Sequence, residues 1–206
     1  MKLKSKELFH ELKHHLPLAF LAALIGIIIA FYLKSSLFNF NKLESSFEIL
    51  HVLHIFASAI VSGGLFYRYK KNIYYSLLVG TISSVFVGSL SDVLFPFIGG
   101  LVFNFNISFH FPLIETPLVI LSSGLIGSLI GITTGFTRLP HFGHVLVSSL
   151  ASLFYLLTFT STITLTFLII SLFITIIAVI IPCCFSDIIL PFLFLGEKIK
   201  HCNCQE

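Results

Sequence analysis

Two short polar phrases, each written twice, hold most of the chemistry this sequence offers. His51-Val-Leu-His54-Ile-Phe-Ala-Ser58 recurs as His141-Phe-Gly-His144-Val-Leu-Val-Ser148. Ser91-Asp92-Val-Leu-Phe-Pro96-Phe97 recurs as Ser186-Asp187-Ile-Ile-Leu-Pro191-Phe192. Each half thus reads HxxHxxxS and, further along, SDxxxPF. Histidines at i and i+3 stand side by side on one helix face, so both rings can reach one ion. Neutral imidazole ligates zinc, copper, nickel and iron, and an added carboxylate oxygen widens the range toward manganese. Ser58 and Ser148 lie on the same faces, where a hydroxyl can orient a ring.

The aspartates carry a second argument. Proline at i+4 from each aspartate has no N–H, so in an α-helix it leaves the aspartate's own carbonyl without a partner. A carboxylate and a freed backbone oxygen at one position make a cation site of the kind found on broken transporter helices. An aspartate at the centre of a membrane helix also costs about 2.5–3.5 kcal/mol to insert, so a matched pair calls for a function. The metal-ligand candidates are His51, His54, Asp92, Glu115, His141, His144 and Asp187. Glu115 precedes Pro117 at the head of a later apolar run, as His14 and His15 precede Pro17.

Plainer readings stand beside these. An HxxH pair can be interfacial, bonded to water and lipid head groups, and SDxxxP can cap a short helix that starts after the aspartate. Glu115 can simply favour a helix N-terminus. Duplication of both phrases argues against the first two.

The elements that must position these residues are membrane helices. The chain of 206 residues is 56% hydrophobic and 10% charged, with mean hydropathy +1.03. A soluble domain carries about 25% charged residues. Apolar runs fall at about 16–33, 49–67, 73–103, 117–136, 142–160 and 163–195, each near or above the ~20 residues of a span. The first lacks a small-residue cleavage pattern and reads as a span, not a removed signal peptide. The third and sixth exceed one perpendicular crossing, and they contain SDxxxP.

Ten of the twelve basic residues fall in the head (Lys2, Lys4, Lys6, Lys13), the second-to-third connection (Arg68, Lys70, Lys71), the fourth-to-fifth (Arg138) and the tail (Lys198, Lys200). With six spans these share one side, so the positive-inside rule puts both termini in the cytoplasm. Opposite them, Phe103 to Phe111 alternates aromatic and polar residues and predicts an extended interfacial segment, with Phe38-Asn39-Phe40-Asn41 of similar character.

The expected fold is all-α and polytopic: six transmembrane helices as two three-helix repeats, with spans 3 and 6 kinked or broken at SDxxxP. An odd repeat unit makes the second copy inverted, which is a secondary-transporter arrangement. The expected segments are 1–15, a cytoplasmic amphipathic N-terminal segment; 16–103, the first repeat; 104–114, an outer interfacial loop; 115–195, the second repeat; and 196–206, a cytoplasmic Cys/His tail. Gly124, Gly127, Gly131 and Gly135 predict close helix contact and a central fourth span.

Several chemistries are excluded. Val52 stands where a zinc protease needs glutamate, and there is no Walker loop, no GxSxG and no nucleic-acid surface. Cys183-Cys184 and Cys202-Asn-Cys204 suit soft-metal or redox chemistry better than a disulfide scaffold. The leading expectation is a plasma-membrane permease, not an enzyme, for a divalent transition metal ion (zinc, manganese, iron, nickel or copper). Its partners are the lipid bilayer, the ion and a second copy in a homodimer. The alternatives are an intramembrane metal- or haem-binding enzyme or redox protein, and a proton-coupled carrier of a small organic solute.

Overall fold

The computed structural model describes residues 16–17, 20–29, 40–135, 138–161 and 164–184, leaving aside the side chains of 40–42, 138–142 and 183–184. Asp187, His14, His15 and the Cys202–Cys204 tail lie outside the described residues, as do the side chains of His141, Cys183 and Cys184. The described residues are all-helical apart from loops and one isolated bridge. In chain order they form α1 (Phe20–Ile29), α2 (Phe40–Tyr69), α3 (Ile73–Ser89), a π turn (Leu90–Leu94), α4 (Phe95–Val102), α5 (Pro112–Glu115), α6 (Pro117–Thr134), α7 (Arg138–Phe159) and α8 (Leu165–Cys184).

Four helices are long and apolar enough to cross a membrane: Leu43–Tyr69, Ile73–Val102, Pro117–Thr134 and Leu165–Pro182. Phe20–Ile29 and Gly143–Phe159 are shorter apolar helices. The outward faces are aliphatic, with Leu78, Ile82, Leu118, Ile126, Ile169 and Ile177 exposed. A lipid bilayer is the solvent that such faces match, and the chain is an integral membrane protein.

Local signals explain the helix ends. Asn72 caps α3 by accepting the Tyr75 N–H at 3.0 Å. Pro117 opens α6, where its missing N–H costs nothing. Gly135 closes α6 at φ 64°, its N–H bonded to the Gly131 carbonyl at 3.0 Å. Gly135 is thus a helix stop, and among the described residues no neighbour approaches the place of a Cβ there. The expected extended character of Phe38-Asn39-Phe40-Asn41 fails in its second half, because Phe40 and Asn41 already belong to α2. The other alternating segment begins as a turn at Phe103 and Asn104, the latter at φ 55°, and pairs like a strand only around Ile107. Ile107 pairs antiparallel with Thr160, the Ser108 N–H bonds Phe159 O at 2.9 Å, and the Ser161 N–H bonds Asn106 O at 3.2 Å.

Glycines set the helix directions. A Cβ at Gly127 would sit 2.4 Å from the Phe56 carbonyl oxygen, and one at Gly131 would sit 2.0 Å from that of Ile60, so α2 and α6 run parallel in backbone contact. Gly80 meets Ser128 while Gly124 meets Thr81 and Ser84, which makes α3 antiparallel to α6. Gly63, Gly80 and Ser128 form the point where the three helices touch. Phe47 packs on Tyr155 and Phe159 while His54 packs on His144, so α7 runs antiparallel to α2.

The expectation of a central fourth span is overturned. α6 buries Gly124, Gly127, Ser128 and Gly131 but exposes Leu118, Val119, Leu121, Leu125, Ile126 and Leu129. It is a peripheral helix with one small-residue face. The core belongs to α7, where Ala151, Leu153, Phe154, Tyr155, Leu156 and Leu157 are all buried, against Phe47, Val93 and Phe167.

Candidate functional site

α2, the π turn and α7 meet around one carboxylate. His51 and His54 are fully buried, and each points Nδ1 at Asp92 Oδ2, at 2.9 and 2.7 Å. The i, i+3 spacing achieves this, since both rings leave one face of α2. Asp92 Oδ1 accepts the Ser91 hydroxyl at 2.7 Å and the Ser148 hydroxyl at 2.9 Å. Four donors fill the acceptor capacity of an ionised carboxylate. Since that carboxylate only accepts, each Nδ1 carries the proton, and in a neutral ring Nε2 is then the lone-pair atom. Both Nε2 atoms are buried without a hydrogen-bond partner. His144, also buried, stacks on His54 with ring centroids 5.7 Å apart and planes 4° from parallel.

The π turn aims these groups. The helix from Ile73 to Val102 neither breaks nor unwinds, for Ser89, Leu90, Leu94 and Phe95 all keep right-handed helical dihedrals. Instead the Phe95 N–H reaches back to Leu90 O, one residue further than in an α-helix. That shift changes which carbonyl Pro96 orphans. In the π register the missing donor is owed to Ser91 and not to Asp92, and the Ser152 hydroxyl lies 2.9 Å from that carbonyl, sharing its proton with Ser148 O at 2.8 Å. The expected pairing of the Asp92 carboxylate with its own freed carbonyl is therefore replaced by a contact from α7. No side chain caps α4, so the helix-cap reading does not hold at Ser91-Asp92, while Ser186-Asp187 lies outside the described residues.

The candidate residues separate into groups. His51, His54, Asp92 and His144 come together. His141 lies on α7, with its side chain outside the described set, and Asp187 lies outside it altogether. Glu115 is elsewhere, half-exposed and paired with His110 through Nδ1–Oε1 at 2.9 Å. Ser148 touches the carboxylate, not an imidazole as its spacing suggested. Sequence reasoning missed Ser152, which only the π register makes necessary. It also missed Gly88, where a Cβ would come within 2.8 Å of Ile55 Cγ1 and push α2 away from Asp92. A glycine one turn before the buried aspartate was the available signal.

Among the described residues, no three His, Cys, Asp or Glu side chains are disposed to hold one metal ion together. The donor chemistry nonetheless fits a metal in one respect. Imidazoles held by Nδ1–H on a carboxylate, with Nε2 left over, reproduce the carboxylate–histidine support found behind metal ligands. No protein-family profile, curated protein or solved structure matches this chain.

Proposed function

We propose that the protein is a small permease that moves a divalent transition metal ion across the membrane, with His51 and His54 as ligands through Nε2. His144 is the ligand from the other half of the chain. Asp92 orients the two rings and balances the charge of the ion, while Ser91 and Ser148 hold Asp92. The observation that carries the reading is the pair of fully buried imidazoles anchored on one carboxylate, each with an unpartnered Nε2. Polar groups of this kind inside a membrane protein mark ion or proton pathways. The ion is cargo, so a site completed only during the cycle suits it better than a closed cage.

The same reading takes six crossings in two inverted repeats, both termini cytoplasmic, in the plasma membrane. The alternating helix directions support this, as does the stacking of His54 on His144, the second histidine of each copy. Equivalent residues touching across antiparallel helices are what a two-fold axis in the membrane plane produces.

The test is binding and flux with one panel of ions. Zinc, manganese, iron, nickel or copper should raise the melting temperature of the purified protein and enter proteoliposomes, and His51→Ala with His54→Ala should remove both effects. No uptake and no thermal shift with any of these ions would sink the proposal. The His–Asp cluster, with no three-donor group among the described residues, also suits one second reading, a proton-coupled carrier of an organic solute in which the cluster holds protons. In that case proteoliposomes would acidify with solute and ignore the metals.

A further inference from the structure

A second histidine–carboxylate pair lies outside the core cluster. His110, in the loop between α4 and α5, is nine-tenths buried and sets Nδ1 at 2.9 Å from Glu115 Oε1, while the Glu115 side chain is 51% exposed. The His110 ring stacks on Phe159 at 4.6 Å, and its backbone N–H bonds the Tyr155 hydroxyl at 3.2 Å. Its Nε2 is buried with no hydrogen-bond partner. The chemistry repeats that of His51 and Asp92: Nδ1 on a carboxylate and Nε2 left over, again at 2.9 Å.

One aromatic ring separates the two. Phe47, fully buried, stacks on His51 with centroids 5.7 Å apart and meets His110 edge-on at 5.9 Å. The order is therefore exposed carboxylate, buried imidazole, phenyl ring, buried imidazole, buried carboxylate. A phenyl ring offers no donor or acceptor to a hydrated ion, so an ion moving between the two imidazoles would have to displace it.

We propose that His110 and Glu115 form a second cation site, which captures a divalent transition metal ion at the loop end of the molecule and passes it to His51 and His54 when Phe47 swings aside. His110 offers Nε2 as the protein donor, with Glu115 behind the ring on Nδ1 as the carboxylate that orients it, and the other coordination positions are left to water, which suits capture and release. This rests on the permease reading for the identity of the ion.

Histidine acylation by diethyl pyrocarbonate tests it without relying on flux. The full-length protein in lipid nanodiscs is labelled with and without zinc, and each histidine is read by mass spectrometry. His110 should label faster than His51 and His54, zinc should slow labelling at His110, and Glu115→Gln should abolish that protection. Phe47→Ala should speed labelling of His51 and His54 about tenfold or more, by making local opening easier. Phe47→Leu keeps most of the apolar volume and should give a smaller increase in a protein that still melts cooperatively. Zinc without effect on His110 would overturn the capture site. His51 and His54 as protected in Phe47→Leu as in the wild type would overturn the gate. Zinc uptake in the same preparations reports on the permease reading separately, since labelling needs no transport.

Discussion

α2 is held by two neighbours through opposite kinds of contact. Against α6 it is backbone-close, with Gly127 and Gly131 lying on the carbonyls of Phe56 and Ile60 and a hydroxyl contact from Ser123 to Val52 O at 2.9 Å. Against α7 and the π turn it is joined by imidazoles, hydroxyls and one carboxylate. In lipid there is no hydrophobic drive between helices, so association relies on close packing and on buried polar bonds. The glycine seam tolerates no added atom and fixes where α2 stands. The polar seam consists of hydrogen bonds, which on the proposed reading an ion exchanges. The contrast assigns scaffold to one side and function to the other.

Breaking the polar seam at its centre should have the largest effect. Asp92→Ala removes the acceptor of four hydrogen bonds and leaves buried donors behind, at a cost of about 3–5 kcal/mol by analogy with broken buried pairs. A fall in thermal or chemical denaturation midpoint reads this. Gly131→Ala attacks the scaffold instead. Its Cβ would press on backbone, and overpacking of this kind costs about 1–3 kcal/mol, toward the upper end here. It should lower stability while leaving the site chemistry of the folded fraction intact. Equal loss of specific activity and stability in both variants would erase the proposed division.

Smaller effects sharpen it. Ser152→Ala strips the donor from the Ser91 carbonyl, an orphaned buried acceptor worth about 2 kcal/mol, and should loosen the π turn that aims Asp92. Faster amide exchange confined to the residues around Leu90–Leu94 would be the sign. Gly143→Ala is the control of opposite sign. Among the described residues nothing lies near its Cβ position in α7, so it should stabilise by about 0.5–1 kcal/mol through helix propensity alone.

The meeting of His51, His54 and Asp92 was legible because the spacing i, i+3 and the duplicated frame are local facts that helical geometry turns into position. The helical class and the apolar runs were legible for the same reason. What the sequence concealed depends on partners. Which carbonyl Pro96 orphans depends on the helix register, and a π turn shifts it by one residue from Asp92 to Ser91. Whether a small-residue helix is central or peripheral depends on its other face, and exposed Leu and Ile on α6 are compatible with lipid or with protein. Glu115 looked like part of the motif set because of its place before Pro117, yet its partner is His110, from a loop whose alternation signalled only extended backbone.

The central claim is that the imidazoles anchored on Asp92 bind the transported ion. Its most direct test is the initial rate of uptake of each candidate ion into proteoliposomes containing wild type or Asp92→Asn, which keeps the shape of the side chain. Loss of the group that orients a metal ligand costs about 10–100-fold in affinity or activity, and the rate for the transported ion should fall by that much while the protein still melts cooperatively. Uptake by Asp92→Asn at the wild-type rate would contradict the account.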